Sequence, residues 1–120
     1  MATIPATTVP NPNSQGEYDR VMIKKWVLSA NSEGAKITLP NHADRSIQIN
    51  GVFNGAAVTI QNTIDGENWV TLRDIDNNPL RFESTPLYTP VISPATLSIR
   101  ALVCGGDAST EITVHILAKG

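Results

Sequence analysis

From Met22 onward the apolar residues of this chain recur at every second position. No window carries them at i, i+3, i+4 and i+7 through three turns. A period of two sends side chains alternately to the two faces of a strand, whereas a helix needs a period near 3.6. The chain is therefore confined to β structure. Gly, Asn, Asp and Pro punctuate the pattern and delimit short strands over 22–28, 35–39, 46–53, 56–62, 69–73, 80–84, 96–103 and 111–118. Short strands separated by tight turns predict an all-β sandwich, jelly-roll or immunoglobulin-like, of about eight antiparallel strands. With 120 residues, 41% of them hydrophobic, the chain fits one domain. At this length about two-thirds of the unfolded surface is buried on folding, so a core forms without staples.

The clearest strands are the last two. Leu97, Ile99, Ala101 and Val103 alternate in one, and Ile112, Val114, Ile116 and Ala118 in the other. Pairing Val103 with Ile112 and Ile99 with Ile116 places both sets on one face, and a one-residue slip would destroy the match. The connection 104–110 reads as a flexible loop. Upstream, Asn50-Gly51 and Asn54-Gly55 are both type I′ turn signals. A turn at 54–55 opposes Phe53 to Ala56, Gly51 to Val58 and Ile49 to Ile60, keeping more apolar residues together than a turn at 50–51. Gly51 then lies inside a strand, at a bulge or a close contact. Asp65-Gly66 supplies a turn between 57–61 and 69–73, and Asp74–Pro79 supplies another. The predicted core is Ile49, Val58, Ile60, Trp69, Leu72, Ile99, Val114 and Ile116.

Residues 1–20 differ from the domain at 21–120. Pro5, Pro10 and Pro12 stand among Thr, Asn, Ser and Gly16, a composition that buries too little to order itself. Extended, this flexible arm would reach about 65 Å, at ~3.3 Å per residue. It is either a frayed terminus or an arm that orders on a neighbour, with Ile4, Val9 and Tyr18 as its candidate contacts. Deleting residues 2–20 would then leave the fold intact.

Charge and composition narrow the function. The net charge is −2 and Lys24-Lys25 is the longest basic run, so no phosphate-binding stripe exists and nucleic acid is not an expected partner. No stretch approaches the ~20 apolar residues of a membrane span, and the first residues lack the basic and apolar regions of a signal peptide. A soluble protein made in a cytosol is expected. The single cysteine, Cys104, excludes an internal disulfide. His42 and His115 are the only histidines and lie far apart, with no CxxC or HxxxH, so no metal or cofactor is expected. The run Asp74, Asp76, Asn77, Asn78 fails as an EF-hand loop, because Pro79 and Thr85 fall where Gly and Glu are required. GxSxG, P-loop and GxGxxG motifs are absent. The predicted register sets Arg100 opposite His115, near Cys104, but nothing else supports a Cys–His nucleophile. The expectation is a protein that is not an enzyme.

Two features suggest contacts. Leu102 and Leu117 fall on the face of the predicted last hairpin opposite its apolar set, either as a second buried face or as a subunit contact. Trp26, Trp69, Tyr18, Tyr88, Phe53 and Phe82 are the aromatic supply, and exposed rings among them would suit a sugar. Trp69, heading a strand after a turn, reads as a core plug, so Trp69→Ala is expected to unfold most of the domain.

The run Asn50–Ile60, the turn Asp65-Gly-Glu-Asn-Trp69 with Leu72, the loop Asn78-Pro79-Leu80, Gly105-Gly106 and the closing strand Thr113–Ala118 resemble small virion proteins of tailed bacteriophages. The resemblance covers about residues 26–120 and leaves out the arm. It implies a head decoration (cement) protein on the capsid surface, made in the host cytoplasm. Its implied partners are the major capsid protein, at joints between subunits, and itself as a dimer or trimer. The Asp-Gly-x-x-Trp turn is also similar to discoidin-type jelly rolls. That likeness implies instead a carbohydrate-binding module or a tail or fibre accessory protein. The paired terminal cysteines of those domains are missing.

Overall fold

Alternating apolar positions give each strand one face to bury, and two sheets stacked face to face bury them all. The computed structural model describes residues 2–9, 21–38, 44–74, 76–86, 91–92 and 98–119, and among them there is no helix. The strands are β1 (Ala2–Ile4), β2 (Thr7–Thr8), β3 (Val21–Leu28), β4 (Ser32–Gly34), β5 (Ile37–Thr38), β6 (Asp44–Val52), β7 (Ala57–Thr63), β8 (Val70–Thr71), β9 (Arg81–Phe82), β10 (Val91–Ile92), β11 (Ser98–Cys104) and β12 (Glu111–Lys119). A seven-stranded sheet has the order β1–β4–β11–β7–β8, with β5 also beside β11 and β9 also beside β7. A five-stranded sheet has the order β10–β6–β12–β3–β2.

Taking β4/β5 and β8/β9 as two interrupted strands, the chain from β3 to β12 changes sheet at every step except β7 to β8. This alternation, with the first and last of these strands adjacent in the five-stranded sheet, is a jelly roll. It settles the choice against an immunoglobulin-like order. Of the predicted strand 35–39 only Ile37–Thr38 forms, as β5; β4 precedes that range, and both β4 and β10 lie where no strand was expected.

Two predicted pairings are corrected by this topology. The Asn54-Gly55 turn forms as expected, with φ of 47° and 86° and the Ala56 N–H donating to the Phe53 carbonyl (3.0 Å), as in a type I′ turn. It turns a corner between sheets, however, instead of closing a hairpin. The edge of β6 is taken by β12, with Ile112 opposite Gly51 and Val114 opposite Ile49. The edge of β7 is taken by β11, with Val103 opposite Val58. The last two strands likewise do not pair. Their inward residues Ile99, Ala101 and Val103 face Ile112, Val114, Ile116 and Ala118 across the core, all at most 1% exposed. The alternation was read correctly, but a shared apolar face also fits strands stacked in opposite sheets. Leu97 lies outside the described residues.

Gly51 makes the close approach expected of it. Its φ is 142°, and a Cβ there would collide with the Glu111 carbonyl oxygen across the ladder. The hairpin β7–β8 forms as read, with Gln61 opposite Thr71.

The connection 104–110 is tied down. The Gly105 N–H donates to Asn31 Oδ1 (2.9 Å), Thr110 Oγ1 donates to the Phe53 carbonyl (3.0 Å), and Asn54 Nδ2 donates to Asp107 Oδ1 (3.3 Å). These bonds clamp it to two other corners at one end of the sandwich, so it is not the loose loop its glycines suggested.

Residues 2–9 are also not loose. β1 runs parallel to β4, the only parallel pair among the described strands, and β2 runs antiparallel to β3. The segment therefore adds a strand to the edge of each sheet, and Ile4 and Ala6 pack against the core. This part of the arm read from composition docks because backbone pairing to two open edges does not depend on apolar side chains.

Trp69 is the one predicted core residue that does not lie in the core. It is only half-buried, while Ile49, Val58, Ile60, Leu72, Ile99, Val114 and Ile116 are buried. The central indole is that of Trp26, fully buried, with Nε1–H donating to the Ala35 carbonyl at 2.9 Å. Its ring fits against Gly34, where a Cβ would stand 2.6 Å from Nε1.

Candidate functional site

The sandwich interior is filled by aliphatic side chains with Trp26 and Phe53. Among the described residues, no three His, Cys, Asp or Glu side chains gather as a metal site requires. Candidate binding surfaces therefore lie on the two outer sheet faces and the loops.

On the seven-stranded sheet, alternation along β11 turns Arg100 and Leu102 outward. The Arg100 guanidinium lies 4.2 Å from the centroid of the Trp69 ring, a cation–π stack. Its Nε donates to Gln61 Oε1 at 2.9 Å, and NH1 lies 3.4 Å from Glu33 Oε2. Glu33 Oε1 in turn accepts from Thr3 Oγ1 (3.1 Å), which links the network to β1. Trp69 left the core because the strand it heads is an outer edge beside β7, where outward positions carry polar neighbours. Leu102 is half-buried on this face, opposite Glu33 and Thr59.

On the five-stranded sheet the outward residues fall in cross-strand rows. Val27, Thr113 and Asn50 form one row, and Lys25, His115 and Gln48 the next. Ile23, Leu117 and Ser46 form a third, which Val9 extends through its N–H bond to the Ile23 carbonyl (2.9 Å). Val9, Ile23 and Leu117 thus make an apolar row across three neighbouring segments. Leu117 is 41% exposed, and Val27 and Val52 are exposed nearby. His115, half-buried in the middle of this face, has its Nδ1 buried without a hydrogen-bond partner.

Of the candidate contacts read from sequence, Val9 and Leu117 come together on this face. Leu102 lies on the opposite outer face of the sandwich, so the expected Leu102–Leu117 patch does not exist. The predicted Arg100–His115 juxtaposition fails for the same reason. Ile4 is turned toward the core, and Tyr18, Tyr88 and His42 lie outside the described residues. Ile23 was missed, although its outward place follows from Trp26 pointing inward, since residues an odd number apart face opposite sides.

At the far tip of β7–β8, Asp65 organises a turn. Its Oδ1 accepts from the N–H groups of Asn68 and Glu67 (both 2.8 Å) and from Thr63 Oγ1 (3.0 Å), and Oδ2 accepts from Asn68 Nδ2 (2.7 Å). These donors, Asn68 foremost, hold the carboxyl well below the usual carboxylate range. Ile64 and Val70 stand exposed beside it, around a shallow cavity of about 260 Å³.

No protein-family profile and no curated protein matches the sequence. Among solved structures, the SPBc2 prophage-derived protein YomS matches with a TM-score of 0.61 at 9% identity, over 83% of this chain and 95% of YomS. The cupin domain of Cnp3 from Schizosaccharomyces pombe matches at 0.48 and 11% identity, over 96% of this chain and 60% of that one. A cupin domain from Bordetella pertussis matches at 0.40 and 15%, over 100% and 99%. At such identities the likeness to YomS is one of fold, and the looser cupin likenesses add nothing to the chemistry.

Proposed function

We propose that this protein is a phage-associated structural protein that works by docking, as a head decoration protein bound at joints between major capsid subunits. The observation that carries docking is the outer face of the five-stranded sheet, where Val9, Ile23 and Leu117 present an apolar row beside the polar row of Lys25, His115 and Gln48. The phage association is supported by the fold likeness to a prophage-derived protein, over 83% of this chain and 95% of that one, together with the sequence resemblance. A small jelly roll seated on a joint adds buried area to both subunits, and many copies multiply weak contacts by avidity. No catalytic step is part of this reading. Leu117→Glu places a charge on the apolar row at an exposed site, so it should abolish cosedimentation with phage heads while leaving the melting temperature unchanged. Full attachment of a folded Leu117→Glu protein would remove this face from the mechanism. Electron microscopy of whole virions would separate a head from a tail location.

A second reading, a carbohydrate-binding or fibre accessory module, is favoured by the half-exposed Trp69 stacked on Arg100. Such a ring, held from one side by a cation, offers its remaining surface to a sugar. Saccharide titration would then shift tryptophan emission in the native protein and not in Trp69→Ala. A silent titration across a glycan panel would leave docking alone.

A further inference from the structure

We propose that residues 2–9 are an exchangeable strand pair, able to leave their own sandwich and occupy the same two sheet edges on a second copy of this chain. The segment is held mainly by backbone. β1 pairs with β4 through Ala2–Ile4 and β2 pairs with β3 through Thr7 and Thr8. The Ala35 N–H donates to the Ile4 carbonyl (2.7 Å), and the Val9 N–H to the Ile23 carbonyl (2.9 Å). Side chains add two exposed hydrogen bonds, Thr3 to Glu33 and Lys24 Nζ to Thr8 Oγ1 (2.7 Å). Where the segment crosses between the sheets, a cavity of about 350 Å³ remains among Pro5, Ala6, Met22, Lys24, Ala35 and Ile37. Of the segment's side chains, Ile4 and Ala6 pack against the core from outside it, so its departure leaves the main aliphatic core in place.

Chain length supplies the second argument. Val9 and Ile23 are directly hydrogen-bonded neighbours, yet residues 10–20 stand between Val9 and the start of β3. About two to five residues close most β-hairpins. All eleven residues together could span roughly 36–40 Å if extended, which reaches an adjacent domain of this size. In the exchanged form each of these contacts is made again, between chains instead of within one. The balance then depends on the effective concentration of the tethered segment against the concentration of other copies. For short flexible tethers that concentration is on the order of millimolar. Exchange of an identical element is a low-cost route to oligomers. The inference names a second copy as the partner of the arm in the docking reading, in which copies held side by side on a lattice would meet the millimolar condition.

The test uses purified full-length protein without capsids, so its failure is distinguishable from failure of the docking reading. Thr8 and Lys24 face each other with touching side chains. In a Cys104→Ser background, Thr8→Cys and Lys24→Cys should form a disulfide under mild oxidation. Non-reducing denaturing gels then distinguish an intrachain bond, which runs as a monomer, from an interchain bond, which runs as a dimer or larger. The interchain share should be about a thousandth at 1 µM protein and about half at 1 mM, tracking concentration over effective concentration. Purely intrachain product at millimolar protein would overturn the proposal. Absence of any disulfide would overturn the pairing on which it stands.

Discussion

Replacing the two tryptophans one at a time separates the core described above from the one the sequence suggested. Trp26 is fully buried, its ring lies on the backbone at Gly34, and its Nε1–H is bonded to the Ala35 carbonyl. Truncating a buried Trp costs about 3–5 kcal/mol, and the abandoned carbonyl adds roughly 1 kcal/mol. Strand β4 forms the wall of the resulting cavity and is pinned on both sides by β1 and β11, so the site collapses poorly. Trp69 is half-exposed, and its main specific contact is the stack on Arg100, worth about 0.5–1 kcal/mol at such a site. With the loss of its partial burial, Trp69→Ala should cost about 1–1.5 kcal/mol. An unfolding entropy of about 2.1 cal/mol/K per residue makes each kcal/mol worth about 4 °C for a chain of this length. Trp26→Ala should therefore lower Tm by about 16–24 °C and Trp69→Ala by about 5 °C. Thermal melts followed by circular dichroism read both. A Trp69→Ala protein that melts as low as Trp26→Ala would show that Trp69 is the core residue after all.

Other perturbations probe separate parts of the fold. Gly51→Ala meets the Glu111 carbonyl at a positive φ, whereas Gly55→Ala has positive φ with open space around it. Denaturant titration should show the first to be destabilising by more than about 3 kcal/mol and the second by about 1–2 kcal/mol, the cost of the backbone conformation alone. Asp65 has a depressed pKa in the folded state. Its contribution to stability is thus present above its unfolded value near 4 and is lost as pH falls below that. Asp65→Asn should flatten the fall in Tm on acidification below about pH 4, and an unchanged profile would assign that fall to other groups. Deleting residues 2–9 uncovers the surface beneath Ile4 and Ala6, about 1–2 kcal/mol of burial. Tm should drop by about 4–8 °C rather than stay fixed, as it would for an undocked arm.

The periodicity of the chain carried most of the fold. Every second residue of β11 and β12 that reads as apolar is buried where it is described, and the turns at Asn54-Gly55 and Asp65-Gly66 lie where their sequence demands φ > 0. Partnership was much less legible. Alternation tells which face of a strand is inward but not which strand lies beside it. A turn that fits a hairpin fits a corner equally well when both edges are claimed by distant strands. The positions of Trp69 and Leu102 depended on partnership and so were misjudged. Docking of residues 2–9 left little trace in composition because it rests on backbone hydrogen bonds, which any residue but proline can donate.

The placement of β12 bears on how this protein comes into being. It lies between β3 and β6, hydrogen-bonded to both, so it is the central member of its sheet although it is the last of the described strands to be made. Until residues 111–119 have left the ribosome, β3 and β6 have no strand between them, and the apolar faces of the nascent domain stay open. Folding must wait for synthesis to pass that point, and the interval before it is when the chain is most exposed to aggregation.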